Sequence, residues 1–203
     1  MIGASKPLGR RRLLAFAALA PLLQAHAGAQ LEEPLVDSVR TALTAAVHNA
    51  APPVPAFSDL SLQARYKDWL RINDKRLASP IPEDSARQEF LATAWYEAKR
   101  AGLDVALVLG VVQVESAFRK FAVSRVGARG FMQVMPFWAR LIGDGDPGVL
   151  FHTQTNLRFG CVILRHYVDR EAGDLFMALG RYNGSRGQAA YPYAVLAATR
   201  IWS

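Results

Sequence analysis

Apolar positions recur at helical spacing along most of the chain. Over 32–49, Leu35, Val39, Leu43 and Val47 stand four apart, and over 59–77, Leu62, Tyr66, Trp69 and Ile72 form a second stripe. Both segments are therefore expected to be amphipathic helices. Pro52, Pro53 and Pro55 impose an extended connector over 50–57, and Pro80 and Pro82 break the chain again. A third helix is expected over 83–100, with acids in its first turn, Lys99-Arg100 in its last, and Gly102 as its stop.

The next segment has no polar face. From Val105 to Val114 the only polar side chain is Gln113, and Glu115-Ser116 closes the run. A helix apolar nearly all round belongs in the middle of a core, and Asp104 is placed to cap it. A loop carrying Gly127 and Gly130 follows, then helices expected over 136–142, 156–169, 175–182 and 192–202. Strand-like alternation of useful length is absent, so the expected fold class is all-α. Residues 83–203 would form its main domain, and 30–82 an N-terminal helical extension with a Pro-rich connector.

The first 29 residues follow a different logic. Arg10-Arg11-Arg12 precede the apolar run Leu13 to Leu23, and Ala25-His26-Ala27 and Ala27-Gly28-Ala29 follow as small-x-small sites. A basic start, a short apolar stretch and a small-residue exit are the parts of a secretory signal peptide, and the run is too short to span a bilayer. Residues 1–29 are expected to be removed on export, leaving a periplasmic or secreted chain that begins at Gly28 or Gln30. No later stretch is apolar for eighteen residues running, so no integral membrane segment is expected after signal removal.

Removal of that segment also changes the charge. It takes away Lys6, Arg10, Arg11 and Arg12 and no acid, so the net charge falls from +7 to +3. A mildly basic protein suits an anionic polymer, but nucleic acid loses its compositional support as a partner. Cys161 is the single cysteine, so an internal disulfide is excluded, and its apolar neighbours mark it as a buried small hydrophobe.

Glu115 is the one carboxylate of the apolar segment. Burial strips its hydration, and the C-terminal end of a helix disfavours negative charge. Both raise a carboxyl pKa, as a general acid working near neutral pH requires. On periodicity alone, the same residue fits an exposed turn at the helix end equally well.

Its neighbours add to the case. Glu115-Ser116-Ala117-Phe118 is followed by Ser124-Arg125-Val126-Gly127-Ala128-Arg129-Gly130-Phe131-Met132-Gln133-Val134-Met135-Pro136, then Asn156-Leu157-Arg158-Phe159-Gly160, then Ala178-Leu179-Gly180-Arg181-Tyr182-Asn183-Gly184. In this order and spacing the sequence closely resembles the transglycosylase domain of the soluble lytic transglycosylases, relatives of the goose-type lysozymes, over roughly 83–203.

The resemblance implies a lysozyme-like helical domain and a role for each matching residue. Glu115 would be the catalytic acid/base. Ser124 would point its hydroxyl into the site, Gln133 and Met135 would line the groove at the cleavage point, and Tyr182 and Asn183 would face the glutamate and the N-acetyl sugar. Gly127 and Gly130 would let the loop backbone pass close to the glycan. On composition alone Ser124 also reads as a turn residue, Met132 as core and Tyr182 as a helix-end core aromatic. Phe131 replaces the usual Leu, Phe137-Trp138 follow Met-Pro where Thr-Ala is commoner, and Tyr182-Asn183-Gly184-Ser185 departs from Tyr-Asn-Ala-Gly.

The chemistry is constrained by what is missing. Ordinary glycoside hydrolysis uses two carboxylates, yet after Glu115 no Asp or Glu occurs before Asp144. A single acid/base suffices if the 2-acetamido group of N-acetylmuramic acid supports C1 and the sugar's own 6-hydroxyl attacks it. The expected reaction is lytic transglycosylation of peptidoglycan strands, giving 1,6-anhydro ends without a cofactor. The alternatives are a goose-type lysozyme that uses water, and a wall-docking or secretion-assembly module that binds an envelope partner through 30–82. His48, His152 and His166 have no metal-ligand spacing, so no metal is expected. Arg119, Lys120, Arg125, Arg129, Arg181 and Arg186 read as a solvated rim, or as partners for stem-peptide carboxylates.

Overall fold

A computed structural model of the protein describes residues 30–35, 37–48, 57 and 59–203. The signal-like segment and nearly all of the Pro-rich connector lie outside the described residues. The chain forms helices α1 (Asp37–His48), α2 (Leu60–Leu77), α3 (Asp84–Arg100), α4 (Val105–Ser116), α5 (Pro136–Ile142), α6 (Thr153–Arg170), α7 (Leu175–Asn183) and α8 (Ala190–Trp202), with a 3-10 helix, Pro147–Phe151, before α6. Among the described residues there is no strand. Isolated bridges, Val123 to Arg129 and Arg129 to Val134, tie the loop between α4 and α5 into a double turn. The fold is all-α.

The helix without a polar face is central: every residue from Val105 to Val112 is buried. Asp104 caps it, its side chain accepting the Ala106 N–H at 2.8 Å, a contact worth about 1 kcal/mol. Helix α8 lies closely along α4, because Gly110 offers no side chain where Thr199 arrives. A Cβ there would stand 2.6 Å from Thr199 Oγ1. This close pairing carries the start of α8 to the end of α4, where Glu115 sits. Helices α3 and α7 pack on α6.

The two leading helices are fastened to this core. Tyr66 and Trp69 of α2 meet Trp95 of α3 with ring centroids 5.0 Å apart in each pair. Arg87 of α3, buried, binds Asp74 of α2 at 2.7 Å and the Ile81 carbonyl at 2.9 Å. Helix α1 is held by its C-terminus: Arg158 Nη1 donates to the Val47 carbonyl at 3.3 Å, and Arg100 donates to that of Ala46. Glu97, 1% exposed, joins the two guanidiniums, accepting from Arg158 at 2.9 Å and Arg100 at 3.2 Å. Cations at a helix C-terminus satisfy its last carbonyls and its dipole together.

Two elements differ from the pattern-based reading. The first helix begins at Asp37 and not near residue 32, and residues 30–35 carry no regular secondary structure. Pro34 accounts for this, since the residue before a proline is pushed out of helical conformation. The 3-10 helix was not expected. Pro147 opens it and Asp146 caps it by accepting from Gly148 N–H at 2.7 Å.

Candidate active site

Glu115 occupies the last turn of α4 and is 5% exposed, so the exposed-turn reading does not hold. Its Oε1 accepts a 2.6 Å hydrogen bond from the hydroxyl of Tyr191, the second residue of α8. Burial, and then the nearby Glu115 charge, push the Tyr191 phenol well above its ordinary range. Tyr191 therefore stays protonated and stays a donor. The sequence reading did not single it out, because only the packing of α8 on α4 brings it to the carboxylate.

The chain leaves α4 through two left-handed residues, Ala117 (φ 49°) and Phe118 (φ 62°). Such backbone is strained without a side chain that tolerates it, so the surroundings must hold it in place. The Phe118 ring does so, edge-on to Phe90 at 5.8 Å and to Trp202 at 5.2 Å.

Within the loop that follows, several expected groove residues turn inward. Ser124 Oγ accepts from the Ala128 N–H at 3.0 Å, so the hydroxyl organises its own turn and keeps its proton for another acceptor. Gln133, 2% exposed, donates from Nε2 to the carbonyls of Ala122 at 3.1 Å and Gly130 at 2.9 Å, and so staples the loop from inside. Gly130 also faces inward: a Cβ would lie 2.3 Å from Asn156 Nδ2, whereas Gly127 faces open space with φ +88°. The two glycines thus serve close packing and a left-handed turn.

Asn156 and Gly160 explain the N-x-x-x-G spacing. Asn156, 1% exposed, accepts from Met132 N–H at 2.8 Å and donates to the carbonyls of Arg129 at 2.8 Å and Leu150 at 2.7 Å. One helical turn on, Gly160 leaves room for Met132, whose Sδ would be 2.2 Å from an added Cβ. Met132 is core, as one reading of the sequence had it.

Tyr182 is fully buried, and its hydroxyl donates to the Met132 carbonyl at 2.8 Å. Its phenol is pushed well above the ordinary range by burial first and by the Glu115 charge next. A hydroxyl that reaches Glu115 belongs to Tyr191. Asn183, 1% exposed, donates to Ser185 Oγ at 2.9 Å, while its Oδ1 is buried without a hydrogen-bond partner. The departure at Gly184-Ser185 is accommodated: Gly184 ends α7 at φ 76°, and Ser185 N–H bonds the Gly180 carbonyl at 2.7 Å. Met135 is half-buried, with its N–H directed at Gln30 Oε1. Phe137 and Trp138 are buried and brace the core, Trp138 edge-on to Tyr167 at 6.3 Å.

The next carboxylates along the chain are occupied elsewhere. Asp144 lies 3.6 Å from His48 Nε2 and Asp146 caps the 3-10 helix. Glu171 binds Arg186 and Arg181, which hold its carboxyl down to about 2. Arg181 also binds Glu33 at 3.0 Å, so two of the six basic residues around the motifs are committed to ion pairs within the chain.

Tyr191→Phe removes a hydroxyl that donates to Glu115 Oε1. Turnover should fall by about tenfold, less than an acid/base itself contributes, and the pH profile of kcat should move, because a hydrogen bond to a carboxylate favours its charged form. An unchanged rate and profile would make the contact merely structural.

The transglycosylase SLT domain family matches residues 93–193. A transglycosylase of Enterobacteria phage PRD1 is 38% identical over 103 residues, 48% of this chain and 37% of the phage protein. Membrane-bound lytic murein transglycosylase C of Actinobacillus pleuropneumoniae serotype 5b is 39% identical over 90 residues, 40% of this chain and 24% of that protein. The chain thus spans well under half the length of these relatives. Among solved structures, an inactive mutant of lytic transglycosylase Slt from Pseudomonas aeruginosa superposes with a TM-score of 0.50 at 23% identity, over 69% of this chain and 28% of that one. The helices that surround Glu115 therefore form a domain of the transglycosylase SLT family, on the fold of a lytic transglycosylase.

Proposed function

We propose that the protein is a peptidoglycan lytic transglycosylase that cleaves the β-1,4 bond between N-acetylmuramic acid and N-acetylglucosamine. One observation carries the reading: the glutamate that the motif resemblance singles out is buried and set by the Tyr191 hydroxyl at 2.6 Å, within the span the family matches. Glu115 gives its proton to the leaving glycosidic oxygen while the acetamido carbonyl of the muramic sugar supports C1. It then takes the proton of that sugar's 6-hydroxyl, whose oxygen closes on C1. One C–O bond breaks, one forms, and a proton passes from O6 to the leaving oxygen through Glu115. No water is consumed.

Met135, Tyr182 and Asn183 border the N-acetyl sugar in this reading, and the buried, unpartnered Asn183 Oδ1 is an acceptor suited to an acetamido N–H. Ser124 presents its free proton to the glycan, and Gln133 shapes the loop that carries it. Export to the periplasm or cell exterior, through residues 1–29, would bring the enzyme to its polymer. Among the described residues no helix is long and apolar enough to cross a membrane.

Digestion of purified peptidoglycan tests the reaction. The expected products end in 1,6-anhydro-N-acetylmuramic acid, lighter by one water than reducing ends. Reducing ends alone would identify a lysozyme, and absence of cleavage would leave a docking module.

A further inference from the structure

Residues 30–35 reach the site as an irregular segment ahead of α1, and none of the chemistry above uses them. Gln30 is the most deeply placed, 3% exposed. Its Oε1 accepts the Met135 N–H at 3.3 Å, and its buried carboxamide faces the Tyr182 hydroxyl. Met135 and Tyr182 are the residues assigned above to the wall of the N-acetyl pocket. A primary carboxamide carries the same carbonyl acceptor and N–H donor as an acetamido group. Three residues further on, Glu33 ties the segment down, binding Arg181 at 3.0 Å and also Arg170.

We propose that residues 30–33 form an intramolecular strap that fills the acetamido position of the glycan site with the Gln30 carboxamide, so that the strap must leave before a strand binds. The inference rests on the reading of this groove as a glycan site. The hold is weak in each of its parts. The Met135 bond is long for an N–H to oxygen contact. The Glu33 side chain is 31% exposed, so solvent screens its ion pairs. Leu31, 62% exposed, adds no apolar burial. A plug held this lightly is displaced by mass action: the intrinsic affinity for glycan is reduced by the fraction of molecules with the strap open.

The test reads binding by the full chain, independent of turnover, with an N-acetylglucosamine tetramer as probe. Calorimetric titration compares the wild type with Gln30→Ala, which removes the mimic, and Glu33→Gln, which removes the latch. Both variants should bind roughly tenfold more tightly, as expected when an occupied site is vacated. In the wild type, saturating tetramer should speed hydrogen exchange at the amides of residues 31, 32, 33 and 35. Equal or weaker binding by both variants, with clear binding by the wild type, overturns the strap and leaves the glycan reading in place. Slower exchange of those amides on saturation overturns it too, because the segment would then be part of the bound site. If none of the three proteins binds the tetramer, the glycan reading fails and the strap falls with it.

Discussion

Glu115→Gln should stop peptidoglycan cleavage while leaving fold and glycan binding in place. The amide keeps the shape of the carboxylate and an oxygen to accept the Tyr191 hydroxyl, which donates at 2.6 Å to Oε1 in the native protein. What it lacks is a proton that can be given and taken back. Glu115 serves both as acid to the leaving oxygen and as base to the 6-hydroxyl, so both transfers lose their catalyst. A general acid/base contributes roughly 10²- to 10⁴-fold, and kcat should fall at least that far. At 5% exposure the neutral amide is cheaper to bury than a carboxylate, so the melting temperature should hold or rise slightly. Binding of a glycan oligomer, followed by calorimetry, should stay within a few-fold of wild type. A variant that retains more than a few per cent of the native rate would remove Glu115 from the mechanism. A variant that unfolds would show its carboxylate to be structural.

Much of this is legible in the sequence, for identifiable reasons. Helix α4 could be placed from its lack of a polar face, because no other position in a small all-α domain accepts such a surface. Its cap, Asp104, follows from local chemistry in the same way. The motif order pointed to Glu115, and the structure puts that residue in a buried, oriented setting. The roles within the site were harder to read. Tyr182 and Tyr191 are both aromatic residues at helix ends, and sequence cannot tell which hydroxyl meets a carboxylate on another helix. The distinction depends on how α8 lies along α4, through the glycine-threonine contact between Gly110 and Thr199. Gln133 and Gly130 were read toward the glycan but face the protein, since which side of an irregular loop is inner is fixed by its tertiary partners. The late start of α1 was available in principle from Pro34, and the anchoring of its far end by Arg100 and Arg158 was not.

Asn156→Ala should be the most damaging substitution for stability near the site, and activity should fall with it. Asn156 sits on α6 at 1% exposure and makes three hydrogen bonds, all to backbone groups of other segments. Two of them, to Met132 and Arg129, hold the loop between α4 and α5, and the third holds Leu150 in the 3-10 helix. Alanine leaves these groups buried with nothing to replace the side chain. An unmet buried polar group costs about 1–3 kcal/mol, but the Arg129 carbonyl keeps the Val134 N–H at 3.0 Å, so a total of about 3 kcal/mol is expected. For a chain of this size that corresponds to a fall in melting temperature of about 6–12 °C. Asn156→Asp should do no better, because it keeps the acceptor for Met132 but turns a charge toward two carbonyl oxygens. Activity should drop in both variants even well below their melting points, since Met132 also receives Tyr182, and the loop carrying Ser124 and Met135 loses its anchor. Thermal melts and initial rates on the same preparations separate the two roles Asn156 can have. Lost activity at unchanged melting temperature would mean that Asn156 touches glycan directly, and the account of it as the clamp of the active-site loop would be wrong.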